Sequence, residues 1–121
     1  MAARLTPIYT TSGNLGGFLQ PPYIFNPQGE WIGWVTADKR VYSVHGQYVG
    51  WLNNDLRILS KRMHEFNSPR QTPPPPPGRL VPPASVPLPP MMSELAIGVI
   101  DVLDENPELM PTLDAYAETD E

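Results

Sequence analysis

Gly29-Glu30-Trp31-Ile32-Gly33-Trp34-Val35 and Gly46-Gln47-Tyr48-Val49-Gly50-Trp51-Leu52 are two copies of one pattern. In each, a glycine is followed by a second glycine four residues later, then by an aromatic and an aliphatic residue. A looser copy precedes them, Gly13-Asn14-Leu15-Gly16-Gly17-Phe18-Leu19, with Gly16 where the others carry Ile32 or Val49. An apolar dipeptide leads into each copy: Ile8-Tyr9, Ile24-Phe25 and Val41-Tyr42. Self-similarity at a fixed period marks one small structural unit used repeatedly.

The unit reads as a β-hairpin, with a strand, a short turn and a returning strand. Gly13, Gly29 and Gly46 sit at the turns, where positive φ is needed. Gly17, Gly33 and Gly50 fall inside the returning strands, a position that signals close approach of another backbone or an aromatic ring. Strict alternation would put Trp31, Gly33 and Val35 on one face and Ile32 and Trp34 on the other. It would likewise set Tyr48, Gly50 and Leu52 against Val49 and Trp51. Both faces are then apolar, which an open sheet in water does not tolerate. The expected fold is therefore all-β: repeated antiparallel hairpins curled into a shallow closed or nearly closed barrel. Leu56–Ser60 reads as a further strand. Residues 60–66 fit a degraded fourth unit, an edge strand or a helical turn.

Composition divides the 121 residues into three. Residues 1–66 hold every Trp and Phe and form the expected folded domain, close to the lower size limit for a self-standing core. Residues 67–91, with the run Pro73–Pro77, are expected to be a disordered, polyproline-II arm. Residues 92–121 form an acidic tail, in which Ser93 and Glu94 suit the start of a short helix over 94–104. The net charge of −5 hides a split: residues 1–79 carry all eight bases and four acids, a net of +4, and the rest carries nine acids and no base. Such a basic domain and acidic tail attract each other or compete for one surface.

The absence of cysteine excludes disulfides and thiolate metal sites. The N-terminal residues lack the apolar core of a signal peptide, and no stretch reaches the ~18–20 apolar residues of a membrane span. A cytoplasmic protein, or one peripheral to a membrane, is the expectation.

The glycine–aromatic repeat, carried by Ile24-Phe25-Asn26…Gly29–Val35 and Val41-Tyr42…His45-Gly46–Leu52, resembles the 4-fold β-flower domain of bacterial proteins. The resemblance covers roughly residues 5–60. It implies hairpin petals around a central axis, in a shallow barrel similar in shape to Tubby-type lipid-associated barrels. The family has no assigned catalytic residues, so none is carried over, and a fourth complete petal is not visible in the repeat.

The residues themselves offer little catalytic chemistry. His45 precedes a turn glycine and reads as an exposed turn residue, and His64 lies in a basic stretch without pattern. There is no H-x-x-x-H pair, G-x-S-x-G or P-loop. Asp101, Asp104, Glu105 and Glu108 lack the spacing of a Ca²⁺ loop and read as a solvated face. No cofactor or metal is expected. Trp34 and Trp51 occupy equivalent positions and suit the core, stacked over strand glycines; the alternative is an aromatic ring at a barrel mouth. Trp31 and Tyr48 correspond in the same way. With the bases Lys39, Arg40, Arg57, Lys61 and Arg62, these four aromatics make up the expected ligand surface, suited to lipid headgroups. A domain charge of +4 argues against nucleic acid. Arg70-Gln71-Thr72-Pro73-Pro74-Pro75-Pro76 matches a proline motif read by aromatic-lined grooves, but a run of five prolines matches such patterns by chance, and a plain stiff spacer is the favoured reading. The expectation is a non-enzymatic binding or assembly module for an apolar or anionic ligand. The alternative is a self-associating structural protein whose arm or acidic tail recruits a protein partner.

Overall fold

The computed structural model describes residues 5–63 and 69–113. His64, the boundary at residue 66 and the last eight residues lie outside that range. Eight strands follow one another: β1 Thr6–Tyr9, β2 Leu15–Gln20, β3 Tyr23–Phe25, β4 Trp31–Val35, β5 Arg40–Ser43, β6 Tyr48–Leu52, β7 Ile58–Lys61 and β8 Val99–Asp101. Each pairs antiparallel with the next, so spatial order is chain order, and the sheet curls into a half-barrel. The all-β hairpin repeat expected from the glycine pattern is present.

The hairpins β1–β2, β3–β4 and β5–β6 are the three petals visible in the sequence. In each, a turn N–H bonds the carbonyl four residues on: Thr10 to Asn14, Asn26 to Glu30 and Ser43 to Gln47, all at 2.8 Å. The fourth petal is β7–β8. Its turn glycine is Gly98, whose φ of 85° matches the 89°, 88° and 84° of Gly13, Gly29 and Gly46. The Gly98 carbonyl accepts the Arg62 N–H at 2.7 Å and closes the petal. The repeat is complete, with residues 62–98 inserted at the tip of the last hairpin.

A register slip recurs in the first three petals, between Ile8 and Tyr9, Ile24 and Phe25, and Val41 and Tyr42. Opposite each slip one residue is left over: Gly16, Ile32 or Val49. Such a bulge breaks the two-residue alternation. Trp31 and Trp34 therefore share one face, while Ile32 packs on the other, which corrects the alternation read from the sequence. The inner cluster holds Ile8, Ile24, Ile32, Val41, Val49 and Ile58 together with Val102 and Met110. The outer cluster is aromatic, built from Phe18, Phe25, Trp31, Trp34, Tyr42 and Val44.

The strand glycines set the petal junctions. A Cβ on Gly17, Gly33 or Gly50 would overlap the backbone carbonyl oxygen of Phe25, Tyr42 or Leu59, each on the first strand of the next petal. At the bulge position of petal 1, Gly16 leaves space that Leu103 fills: a Cβ there would lie 3.2 Å from Leu103 Cδ1.

The C-terminal region departs from expectation. In place of a helix over 94–104 the chain forms β8, a single helical turn α1 (Val102–Glu105) and a 3-10 turn at Pro107–Leu109. The β-branched run Val99-Ile100 favours the strand, and β7 offers it an open edge. The sheet thus does not end near residue 66. Val102 and Met110, from the acidic tail, are 0% and 3% exposed in the inner core.

Candidate functional site

The proline-rich arm is a belt laid on the petals. The Gln71 N–H donates to the Gly46 carbonyl at 2.9 Å, at the tip of the third petal. The Tyr23 hydroxyl donates to the Pro75 carbonyl at 2.6 Å, and the Leu80 N–H donates to the Gly29 carbonyl at 2.9 Å, both on the second petal. The Tyr9 hydroxyl of the first petal donates to the Pro87 carbonyl. The Ser93 carbonyl then accepts Arg57 Nη1 at 3.1 Å, beside the fourth. The belt thus passes petals 3, 2 and 1 in turn, against chain order, before the chain enters β8.

Its chemistry follows from its composition. Proline has no N–H, so a proline-rich strand presents carbonyl acceptors and apolar rings with few donors. The petals answer with two tyrosine hydroxyls for the carbonyls and two turn carbonyls for the amides that remain. Leu80 and Val86 pack onto the aromatic cluster. That cluster is organised by ring contacts: Trp34 stacks on Tyr42 at 5.2 Å, and Tyr23 meets Trp31 edge-on at 6.0 Å. Trp31 Nε1 is satisfied by the Gly33 carbonyl at 2.7 Å. Where the belt first meets the petals, a cleft of about 410 Å³ opens between Arg40, Tyr42, Tyr48, Pro69 and Gln71. A second cleft, about 540 Å³, lies between the tips of petals 1 and 2 and the 3-10 turn, with Ile32 and Met110 at its floor.

The expected ligand residues do not form one surface. Trp31 and Trp34 are buried in the aromatic cluster onto which Leu80 and Val86 pack, and Trp51 and Tyr48 are half-buried. Arg40 and Tyr48 share the 410 Å³ cleft. Lys39 closes the β4–β5 turn and Arg40 begins β5, whereas Lys61 ends β7 and Arg62 follows it; in an up-and-down meander those positions fall at opposite ends of the sheet. Lys39, Arg40, Lys61 and Arg62 are exposed, and Arg62 pairs with Glu105 at 3.5 Å.

Arg57 is 1% exposed and ties the open edges of the half-barrel together. Its guanidinium pairs with Asp55 at 2.7 Å and donates to Thr11 Oγ1 at 3.0 Å. The Thr11 N–H and hydroxyl donate in turn to Asp101 Oδ2 at 2.7 and 2.8 Å. β1 and β8 are thereby joined through side chains, not through a ladder. Burial pushes the Asp101 carboxyl above the usual carboxylate range, and the Thr11 hydrogen bonds oppose that shift. Asp55 is held below the range: its hydrogen bonds and charge contact with Arg57 overcome the opposing effect of burial. The sequence did carry a signal for this pair. Asp38-Lys39-Arg40 and Asp55-Leu56-Arg57 are equivalent junction turns, with φ of 68° at Lys39 and 69° at Leu56.

Among the described residues no group of three His, Cys, Asp or Glu side chains could hold a metal ion. Nor is any helix among them long and apolar enough to cross a membrane.

Four consecutive hairpins, the first three each clamped to the next by a strand glycine, define a petal-type β fold. The 4-fold beta flower protein family matches residues 6–97, and the chain belongs to that family. No curated protein and no solved structure matches it.

Proposed function

We propose that this chain is a non-enzymatic binding and assembly module whose petals hold an extended, proline-rich segment. The belt carries this reading: its amides go to turn carbonyls, its carbonyls to tyrosine hydroxyls and its apolar side chains to an aromatic surface. Recognition of polyproline segments by aromatic-lined surfaces uses the same contacts. The resident arm occupies the surface in cis, at the high effective concentration that a tether gives. An outside segment of like chemistry would have to displace it.

The test is titration of a peptide of residues 69–93 into the full chain and into a Leu80→Asp/Val86→Asp variant, followed by tryptophan fluorescence. The variant, confirmed folded by circular dichroism, should bind the peptide more tightly than the unaltered chain, because its own arm is loosened. A folded variant that takes no peptide at any concentration would overturn the reading. Lipid headgroups are the other ligand class, resting on exposed Lys39 and Arg40 alone because the basic residues are divided. Sedimentation with anionic vesicles, lost in Lys39→Glu/Arg40→Glu and absent with neutral vesicles, would favour lipid instead.

A further inference from the structure

We propose that the C-terminal segment Gly98–Met110 is exchanged between two copies of this chain, each completing the other's fourth petal. The proposal rests on the assembly half of the reading above and not on peptide recognition.

The slot that receives the segment is built from residues up to Arg62, whose N–H meets Gly98 and whose guanidinium meets Glu105. β7 supplies the ladder, pairing Leu59, Ser60 and Lys61 with Asp101, Ile100 and Val99. Thr11 and Ser12 of the first petal tip supply hydrogen bonds to Asp101 and Asp104, at 2.7 to 2.8 Å. The inner core supplies an apolar socket for Val102 and Met110, and Gly16 the space for Leu103. Every one of these contacts is indifferent to whether the segment comes from the same chain.

The connection decides what is feasible. The first three petals close through turns of a few residues, and each of their strands except β1 is held by two neighbours. β8 has three residues, one ladder neighbour, and a tether of residues 62–98. At ~3.1 Å per residue that tether reaches on the order of 100 Å when extended. Once its belt contacts are released, or remade on the petals of the other copy, it spans to that copy without strain in either petal set. Exchange of an identical element keeps the native contacts and alters only the connection, which makes it an inexpensive route to a dimer.

The chain has no cysteine, so an introduced pair reports without background. Lys61 and Val99 are opposite each other on β7 and β8, a spacing that suits a disulfide. Full-length Lys61→Cys and Val99→Cys variants are unfolded together, refolded over a range of concentrations and oxidised. Exchange should give a 61–99 disulfide between the two different chains, with a fraction rising with concentration, and a doubled mass for the unaltered protein refolded at the same high concentration. The double variant should close the same bond within one chain on dilute refolding, which shows that the geometry permits it. Closure in the double variant, with no interchain 61–99 bond and no doubled mass at any concentration, would overturn the proposal. The peptide titration would be unaffected by that result.

Discussion

Arg40 and Arg57 stand at equivalent places in the repeat, each with an aspartate two residues before it, and their surroundings could hardly differ more. Arg40 and Asp38 are 62% and 66% exposed; Arg57 is 1% exposed. A buried ion pair that loses one partner costs roughly 3–5 kcal/mol, less when the remaining charge can rehydrate. Asp55 keeps some access to water, so Arg57→Ala is expected to destabilise by about 3 kcal/mol. Arg40→Ala should leave the thermal midpoint unchanged, because exposed pairs contribute little. Denaturant titration of both variants checks this; equal effects would show that the buried network is not structural. His45 gives a pH signature at the same scale. Burial, and then the Arg70 charge, hold its imidazole below the ordinary value of about 6.5. A depressed folded value means that the neutral form is favoured, so stability is full above the unfolded value and is lost as pH falls through it. The thermal midpoint should drop between about pH 7.5 and 5.5, and His45→Gln should flatten that drop. A slope unchanged by the substitution would assign it elsewhere.

At the scale of elements, the belt and the terminal segment are structural parts of the sheet they encircle. Met110 is 3% exposed, and Met→Ala in a core costs roughly 2–5 kcal/mol. Met110→Ala should cost that much, and a chain stopped after Phe66 should lose cooperative unfolding altogether, because β7 and the inner core are then uncovered. A truncated chain with an unaltered midpoint would return the tail to the role of an appendage. Much of this architecture was legible in the sequence: the glycine pairs marked three petals, their turns and their junctions. What was not legible had physical causes. Bulges at Gly16, Ile32 and Val49 shift the faces by one residue, and alternation counted through them puts Trp34 on the face of Ile32 and not with Trp31. Gly98 carries no aromatic after it and stands beyond a long proline-rich run, so the fourth petal does not look like the others. Arg57 and the other bases read as one surface because Thr11 and Ser93, which bury Arg57, are remote in sequence. The acidic composition of the tail hid Val102 and Met110.

At the scale of the whole molecule, the belt sets an order of assembly. Pairings such as Trp34 with Tyr42 join near neighbours in sequence, whereas Leu59 meets Asp101 only after the entire proline-rich stretch has been passed. Local contacts form quickly, and distant ones must first meet the loop-closure cost. Two kinetic events should follow in refolding: early gain of petal structure, then a slower clasp that buries Val102 and Met110. Stopped-flow tryptophan emission should show both, and Val102→Ala should mainly speed unfolding while leaving the early event unaltered. A single event, equally affected by Val102→Ala and by changes in petal 2, would mean that the molecule condenses as one unit. On a ribosome the same geometry has a sharper meaning. The first seven strands emerge well before the chain that covers their edge, so the nascent flower waits with an open seam. Any neighbour that carries a free copy of the clasp can reach that seam during the interval.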